Sequence, residues 1–186
     1  MLNIGNFQLK KLEKKDLELI LQWRNTKEIR SVMYEDHQIT IDEHLKWYEK
    51  LVVDDTKVAR LLTYEEKPIG FVNFTKIDKM DRTCYWGFYI GEKQSVKRAG
   101  TVLGLLALDY IFEKKDIHKV CAEIIESNRI SLNFHQKFGF QEDGRYENYI
   151  YRDNDYIDVI TMALSHEQWA ERKEAIKKEL EGEKNE

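Results

Sequence analysis

Between Val58 and Ile90 three strand-length runs follow one another across two short polar turns, and this constrains the fold more than anything else in the chain. Val58 to Tyr64 and Ile69 to Ile77 are rich in β-branched and aromatic residues and read as a hairpin across Glu65-Glu66-Lys67-Pro68. Pro68, the only proline, is expected in the turn, where its fixed φ fits. A second turn at Asp78 to Arg82 leads into Thr83 to Ile90, a strand dense in rings. Helix-length and strand-length segments then alternate. Thr101 to Phe112 is an apolar helix, His118 to Ile125 a strand apolar enough to be buried on both faces, and Asn128 to Phe138 a short amphipathic helix. Ile130, Phe134 and Phe138 are expected on the core side of that helix, and Gly139 sits where a left-handed cap belongs. Phe140 to Tyr151 and Asp155 to Leu164 form a closing hairpin. Upstream lie a strand from Phe7 to Leu12, a helix carrying Leu17, Ile20 and Trp23, and a helix opened by the capping-box pair Thr40 and Glu43. This order implies an α/β (α+β) fold: a mixed sheet with helices on both faces.

Composition removes whole classes of function. A chain of 186 residues, 42% hydrophobic and 34% charged, is globular and needs no disulfide or metal to fold. It divides into residues 1–165 as the globular domain and 166–186 as a charged C-terminal helix and tail, read as solvated and without function. The formal net charge of −4 disfavours a nucleic-acid surface. No apolar run is long enough to span a membrane, and the N-terminus lacks the pattern of a secretory signal, so a cytoplasmic protein is expected. Cys84 and Cys121 read as two buried free thiols, and no metal-ligand spacing occurs.

The segment richest in chemistry is Tyr85-Trp86-Gly87-Phe88-Tyr89-Ile90, followed by a polar loop and then Gly100-Thr101 opening the apolar helix. A strand feeding a helix N-terminus makes an anion site, because unpaired amides and the helix dipole both favour negative charge. Lys97 and Arg98 add cations there. Some 30 residues on, Asn128 and His135 fall on one face of the short helix and can look at one ligand, although Asn128 also suits a plain helix cap.

Together these segments resemble the GNAT acetyltransferase superfamily, over roughly Phe7 to Leu164. The resemblance implies a central, mostly antiparallel seven-stranded sheet and acetyl-CoA as co-substrate, with no metal. It assigns the pyrophosphate loop to Val96, Lys97, Arg98, Ala99, Gly100 and Thr101, the pantetheine-pairing strand to Phe88, Tyr89 and Ile90, and a pantetheine contact to Asn128. The loop departs from the family pattern: only Gly100 is kept, and Arg98 stands where a glycine is usual. His135 stands where a tyrosine usually protonates the departing thiolate, and it is assigned that role. Glu126, or else Glu123, is the candidate base.

A narrower resemblance is to the N-acetyltransferases of the pseudaminic acid pathway. It rests on Trp23-Arg24-Asn25, Val32-Met33-Tyr34, His44-Leu45-Lys46-Trp47, Phe74-Thr75-Lys76-Ile77, Tyr85-Trp86-Gly87-Phe88-Tyr89, Gly144-Arg145 and Tyr156-Ile157-Asp158-Val159. It implies a UDP-linked amino-dideoxy sugar as acceptor. Arg24, His44 and Lys76 would then meet the diphosphate, Tyr34, Trp47 and Tyr85 the flat groups, Met33 the 6-deoxy methyl, and Thr75 and Tyr89 would offer hydroxyls. The rival readings are a protein N-terminal acetyltransferase of the ribosomal-protein type and a non-catalytic acetyl-CoA-binding module. Oligomeric state is left open, a homodimer included.

Overall fold

The computed structural model describes residues 2–182. The chain runs β1 (Phe7–Lys11), α1 (Leu17–Arg24), α2 (Lys27–Arg30), α3 (Ile41–Val53), β2 (Val58–Tyr64), β3 (Lys67–Asp78), β4 (Thr83–Ile90), α4 (Ala99–Asp109), β5 (Lys119–Ile125), α5 (Arg129–Lys137), β6 (Gln141–Arg152), β7 (Asp155–Ser165) and α6 (His166–Glu181). The seven strands form one sheet in the order β1-β2-β3-β4-β5-β7-β6. Every pairing is antiparallel except β4 with β5.

The hairpin between β2 and β3 turns on Glu65 and Glu66 alone, at φ 45° and 70°. Two successive left-handed residues match the twist of the flanking strands. Pro68 is therefore in β3 rather than in the turn, opposite Thr63 at a bulge where its missing N–H costs no ladder bond. Asp153 and Asn154, at φ 53° and 64°, close the β6–β7 hairpin in the same way. Thr40 caps α3 through the N–H of Glu43, whose carboxylate returns the bond to Thr40.

Side chains alternate across the sheet and feed two cores. One face, with Val72, Phe74, Cys84, Trp86, Val120 and Ile124, packs on α4, α5 and α6. The other, with Ala59, Leu61 and Phe71, packs on Leu17, Ile20 and Trp23 of α1. Cys84 is fully buried while Cys121 is half-buried, and the register sets them on opposite faces, because Cys84 pairs with Val120 and Tyr85 with Cys121. Ile130 is 86% exposed rather than part of the core, because it sits in the first turn of α5, and Leu132 packs inward instead. The expected solvated helix at the C-terminus is a packed one. Trp169, Ile176 and Leu180, at helical spacing, are all buried in the larger core. Each contributes roughly 1.5–3 kcal/mol by burial. Residues 183–186 of the expected tail lie outside the described residues.

The parallel pairing of β4 with β5 is short: Thr83 to Tyr85 against Lys119 to Cys121. Beyond it β4 stays with β3 as far as Ile90, and β5 stays with β7 as far as Ile125. The sheet opens there as a wedge, and the β5-facing backbone edge of β4 has no strand partner.

Candidate active site

The wedge holds a cavity of about 450 Å³. One wall comes from β4 and β5 with α5: Trp86, Gly87, Phe88, Tyr89, Ala122, Glu123, Asn128, Ser131 and His135. The other comes from α1, α3 and the segment between α2 and α3: Arg24, Met33, Glu35, His44 and Trp47, with Phe71 below. A second depression of about 310 Å³ adjoins it, sharing Arg24, Met33 and Glu123 and adding Tyr34.

Most of the sequence-selected residues meet here. Arg24, Met33, His44, Trp47, Phe88, Tyr89, Asn128 and His135 all line the larger cavity. Thr75, Lys76 and Tyr85 do not. Lys76 lies over the Tyr85 ring, 4.5 Å from its centroid, on the sheet face beyond the cavity. The expected basic cluster is therefore divided. Arg24 spends one Nη2 bond on the carbonyl of Glu35 (2.7 Å), and its Nη1 is buried without a partner. His44 stacks on Trp47 at 5.1 Å, its Nε2 is also unpartnered, and burial pushes its pKa down. Four carboxylates, of Glu28, Glu35, Glu43 and Glu123, share the lining with Arg24.

His135 is buried among Trp86, Phe88, Phe134 and Phe140, ring centroids 4.8–5.9 Å away. Its Nδ1 lies 2.7 Å from the carbonyl of Ser131. A carbonyl only accepts, so Nδ1 carries the proton and Nε2 is left as a lone-pair acceptor. Burial lowers the pKa to about 4, so the ring is neutral near pH 7. The one N–H of that neutral imidazole is thus committed to the helix backbone, and proton donation to a thiolate would need the other tautomer. Glu126 is likewise engaged elsewhere, 3.1 Å from Arg145, which also holds Asp158 at 2.9 Å. Glu123 and Glu35 are the carboxylate residues that line both cavities, and Glu123, on β5, accepts the Tyr34 hydroxyl at 2.7 Å. Burial first, then this bond, raise the Tyr34 pKa and keep the phenol protonated.

Beside the wedge, α4 begins two residues before the expected Thr101, and Arg98 caps it at φ 69°. Among the described residues the backbone N–H groups of Val96, Lys97 and Arg98 meet no acceptor, whereas Ala99 N–H bonds the Val96 carbonyl at 3.0 Å. The N–H groups of Gly100 and Thr101 in the first turn are open as well, and such a run of open amides at a helix N-terminus suits a pyrophosphate. A Cβ at Gly100 would meet only Ile90, at 3.8 Å, so the approach is clear. Lys97 is exposed beside it. The Arg98 guanidinium turns away and binds the Glu179 carbonyl near the end of α6. Asn128 caps α5 through Ser131 N–H at 3.1 Å and still lines the cavity.

Two residues outside the sequence selection order the segment that carries Met33 and Tyr34. Asn25 bonds both the N–H and the carbonyl of Ile39, each at 2.8 Å. Arg152 reaches the same segment from the β6–β7 hairpin. Asn25 lay within the quoted Trp-Arg-Asn stretch. Arg152 carried no local signal beyond its place before a turn.

A mixed sheet splayed at its single parallel pair, with open amides at the helix that follows, is the arrangement that the resemblance to the GNAT acetyltransferases implies for binding acetyl-CoA. The acetyltransferase (GNAT) domain profile matches residues 9–161, and the chain belongs to that family. It is an acetyl-CoA-dependent N-acetyltransferase. The acetyltransferase PseH of Campylobacter jejuni (strain 81-176) is 30% identical over 140 residues, spanning 75% of this chain and 85% of that one. Spermidine N(1)-acetyltransferase of Vibrio cholerae is 25% identical over 167 residues, 89% of this chain and 96% of that one. The crystal structure of the Vibrio cholerae enzyme with CoA and spermine superposes with a TM-score of 0.83 at 24% identity, over 89% of this chain and 99% of that chain, which shows the shared fold. Among the described residues no cluster of three metal-ligating side chains occurs, and no helix is long and apolar enough to cross a membrane.

Proposed function

We propose that this enzyme acetylates the 4-amino group of a UDP-linked amino-dideoxy sugar. The supporting observation is the ring-walled cavity at the wedge, where Trp47, Phe71, Phe88 and Tyr89 give flat apolar surfaces and Met33 a soft one, with the unpartnered Nη1 of Arg24 and Nε2 of His44 on its lining residues. Flat rings suit sugar faces and uracil, and buried polar nitrogens without partners cost free energy until something pairs with them. The 30% identity with PseH and the pseudaminic-pathway segments support the same acceptor.

In this reading the pyrophosphate of acetyl-CoA lies on the amides of Val96 to Arg98 and the pantetheine runs along the free edge of β4 toward Asn128. A β4 amide polarises the thioester carbonyl. The amine attacks that carbon, an N–C bond forms, and the C–S bond breaks. Glu123 accepts the ammonium proton, oriented by the Tyr34 hydroxyl, and the thiolate leaves to be protonated from water. Most of the acceleration comes from holding amine and thioester together.

Glu35 and Glu123 on the lining, with Glu28 and Glu43 already engaged by Lys93 and by Thr40, favour a second acceptor, a cationic polyamine. An acetyl-transfer assay comparing the UDP-4-amino sugar, spermidine and an N-terminal peptide separates the readings. The highest kcat/KM is expected for the sugar, and preference for either other amine overturns the proposal.

A further inference from the structure

Residues 31–40, between α2 and α3, form no regular element, yet they supply Val32, Met33, Glu35, His37 and Ile39 to the cavity. A segment without ladder bonds must be held by side chains if it is to keep one shape. Its largest single anchor comes from the far end of the sheet. The Arg152 guanidinium donates from Nη1 to the Ser31 carbonyl at 2.6 Å, and from Nη2 to the carbonyls of Met33 at 2.8 Å and Tyr34 at 3.3 Å. Its Nε faces Asp36 at 3.1 Å, and its side chain is only 13% exposed. One planar cation thus closes over groups of four residues, Ser31, Met33, Tyr34 and Asp36, across 116 to 121 positions of sequence.

We infer that Arg152 is a positioning residue for the acceptor site, a clamp through which the β6–β7 hairpin fixes Met33 and Tyr34 and so the Tyr34–Glu123 contact. The fork of five N–H donors is what the geometry uses, since three carbonyls and a carboxylate lie around it in different directions. A lysine offers a point charge on a flexible stem and reaches one or two of them. The residues proposed to meet acetyl-CoA lie on β4, the loop into α4 and α5, and none of them is a hydrogen-bond or ion-pair partner of Arg152. The clamp therefore separates the two substrates: losing it loosens the acceptor side and leaves the CoA side in place.

The kinetic part of the test rests on the proposed sugar acceptor, so it is paired with readouts that need no acceptor. Arg152→Lys and Arg152→Gln are compared with wild type in the acetyl-transfer assay, in calorimetric titration with CoA, and in amide hydrogen exchange. For both variants the KM for the UDP-4-amino sugar is expected to rise about tenfold or more, with lysine giving little rescue, while the Kd for CoA stays within about twofold. Exchange in 31–39 should quicken while β5 and α5 keep wild-type protection. Unchanged exchange in 31–39, full rescue by lysine, or an equal loss of CoA affinity overturns the clamp. A wild-type enzyme that ignores the sugar overturns the acceptor reading instead, and the exchange and CoA titrations still decide the role of Arg152. If Arg152→Gln does not fold, Arg152→Lys carries the same comparisons.

Discussion

His135 gives the sharpest quantitative consequence of the structure. Its ring is almost wholly buried among four aromatic rings, and its polar partners are both on Ser131: the carbonyl, 2.7 Å from Nδ1 and accepting from it, and the hydroxyl at 3.3 Å. Burial takes its pKa from the ordinary 6.5 to about 4. The unfolded chain therefore takes up a proton near pH 6.5 that the folded chain refuses until about pH 4. The group adds no penalty above pH 6.5, and stability is lost as the pH falls through that window. The slope is at most about 1.4 kcal/mol per pH unit, and the full loss is roughly 3 kcal/mol. His135→Phe keeps a ring in an apolar cage and gives up one Nδ1–H bond, a change of about 1 kcal/mol at pH 7.5. Urea unfolding of both proteins from pH 7.5 to 4.5 provides the assay. The stability of the variant relative to wild type should rise by about 2–3 kcal/mol as the pH falls. His44, also depressed by burial, titrates in both proteins and cancels in the difference. A difference that stays flat across this range refutes the buried neutral imidazole and the tautomer deduced from it.

Gly91→Ala would set a Cβ 2.0 Å from Cδ2 of Trp23. A loss of about 3 kcal/mol or more in urea unfolding is expected, since both the ring and the loop after β4 are fixed, and a shift under about 0.5 kcal/mol would refute that contact. Leu180→Ala should cost about 2–4 kcal/mol if α6 is part of the main core, whereas a solvated helix would show almost nothing. Arg98→Glu removes the bond to the Glu179 carbonyl and sets a negative charge beside the open amides, so the KM for acetyl-CoA should rise about tenfold. An unchanged KM would detach Arg98 from the cofactor loop. Glu123→Gln should lower kcat about a hundredfold at pH 7 with the Kd for CoA unchanged, and wild-type turnover would remove Glu123 as proton acceptor.

What the residues made legible was the part governed by local rules. Strand periodicity, the Thr40–Glu43 box and the Gly139 cap are one-dimensional signals, and the elements they mark are where they were expected. Positions on β4, α5, α1 and α3 converge on the cavity because the order of strands leaves one place for them to meet. The direction of a side chain's last bond follows no such rule. Lys76, Arg98 and Glu126 each have the charge that their assigned roles require. Each is nevertheless turned to a partner from another part of the chain: the Tyr85 ring, the Glu179 carbonyl and Arg145. His135 shows the same limit within one helix, because which nitrogen holds the proton depends on a carbonyl four residues back.

The C-terminal helix shows what such long-range contacts do together. Its charge pattern is that of a solvated surface, and a count of charges hides three buried residues at helical spacing. Through them α6 lies against α4, and its polar groups then fix the ends of two functional helices. The Glu179 carbonyl holds the residue that caps α4, and Arg172 donates to the Lys137 carbonyl at the last turn of α5. Lys137 returns a bond to the Glu179 carboxylate at 2.6 Å. The loop amides and Asn128 belong to different helices, so their spacing is only as constant as the packing of those helices on a third. A segment that carries none of the candidate catalytic groups thus braces both helices, and if they hold acetyl-CoA as proposed, loosening α6 should weaken CoA binding.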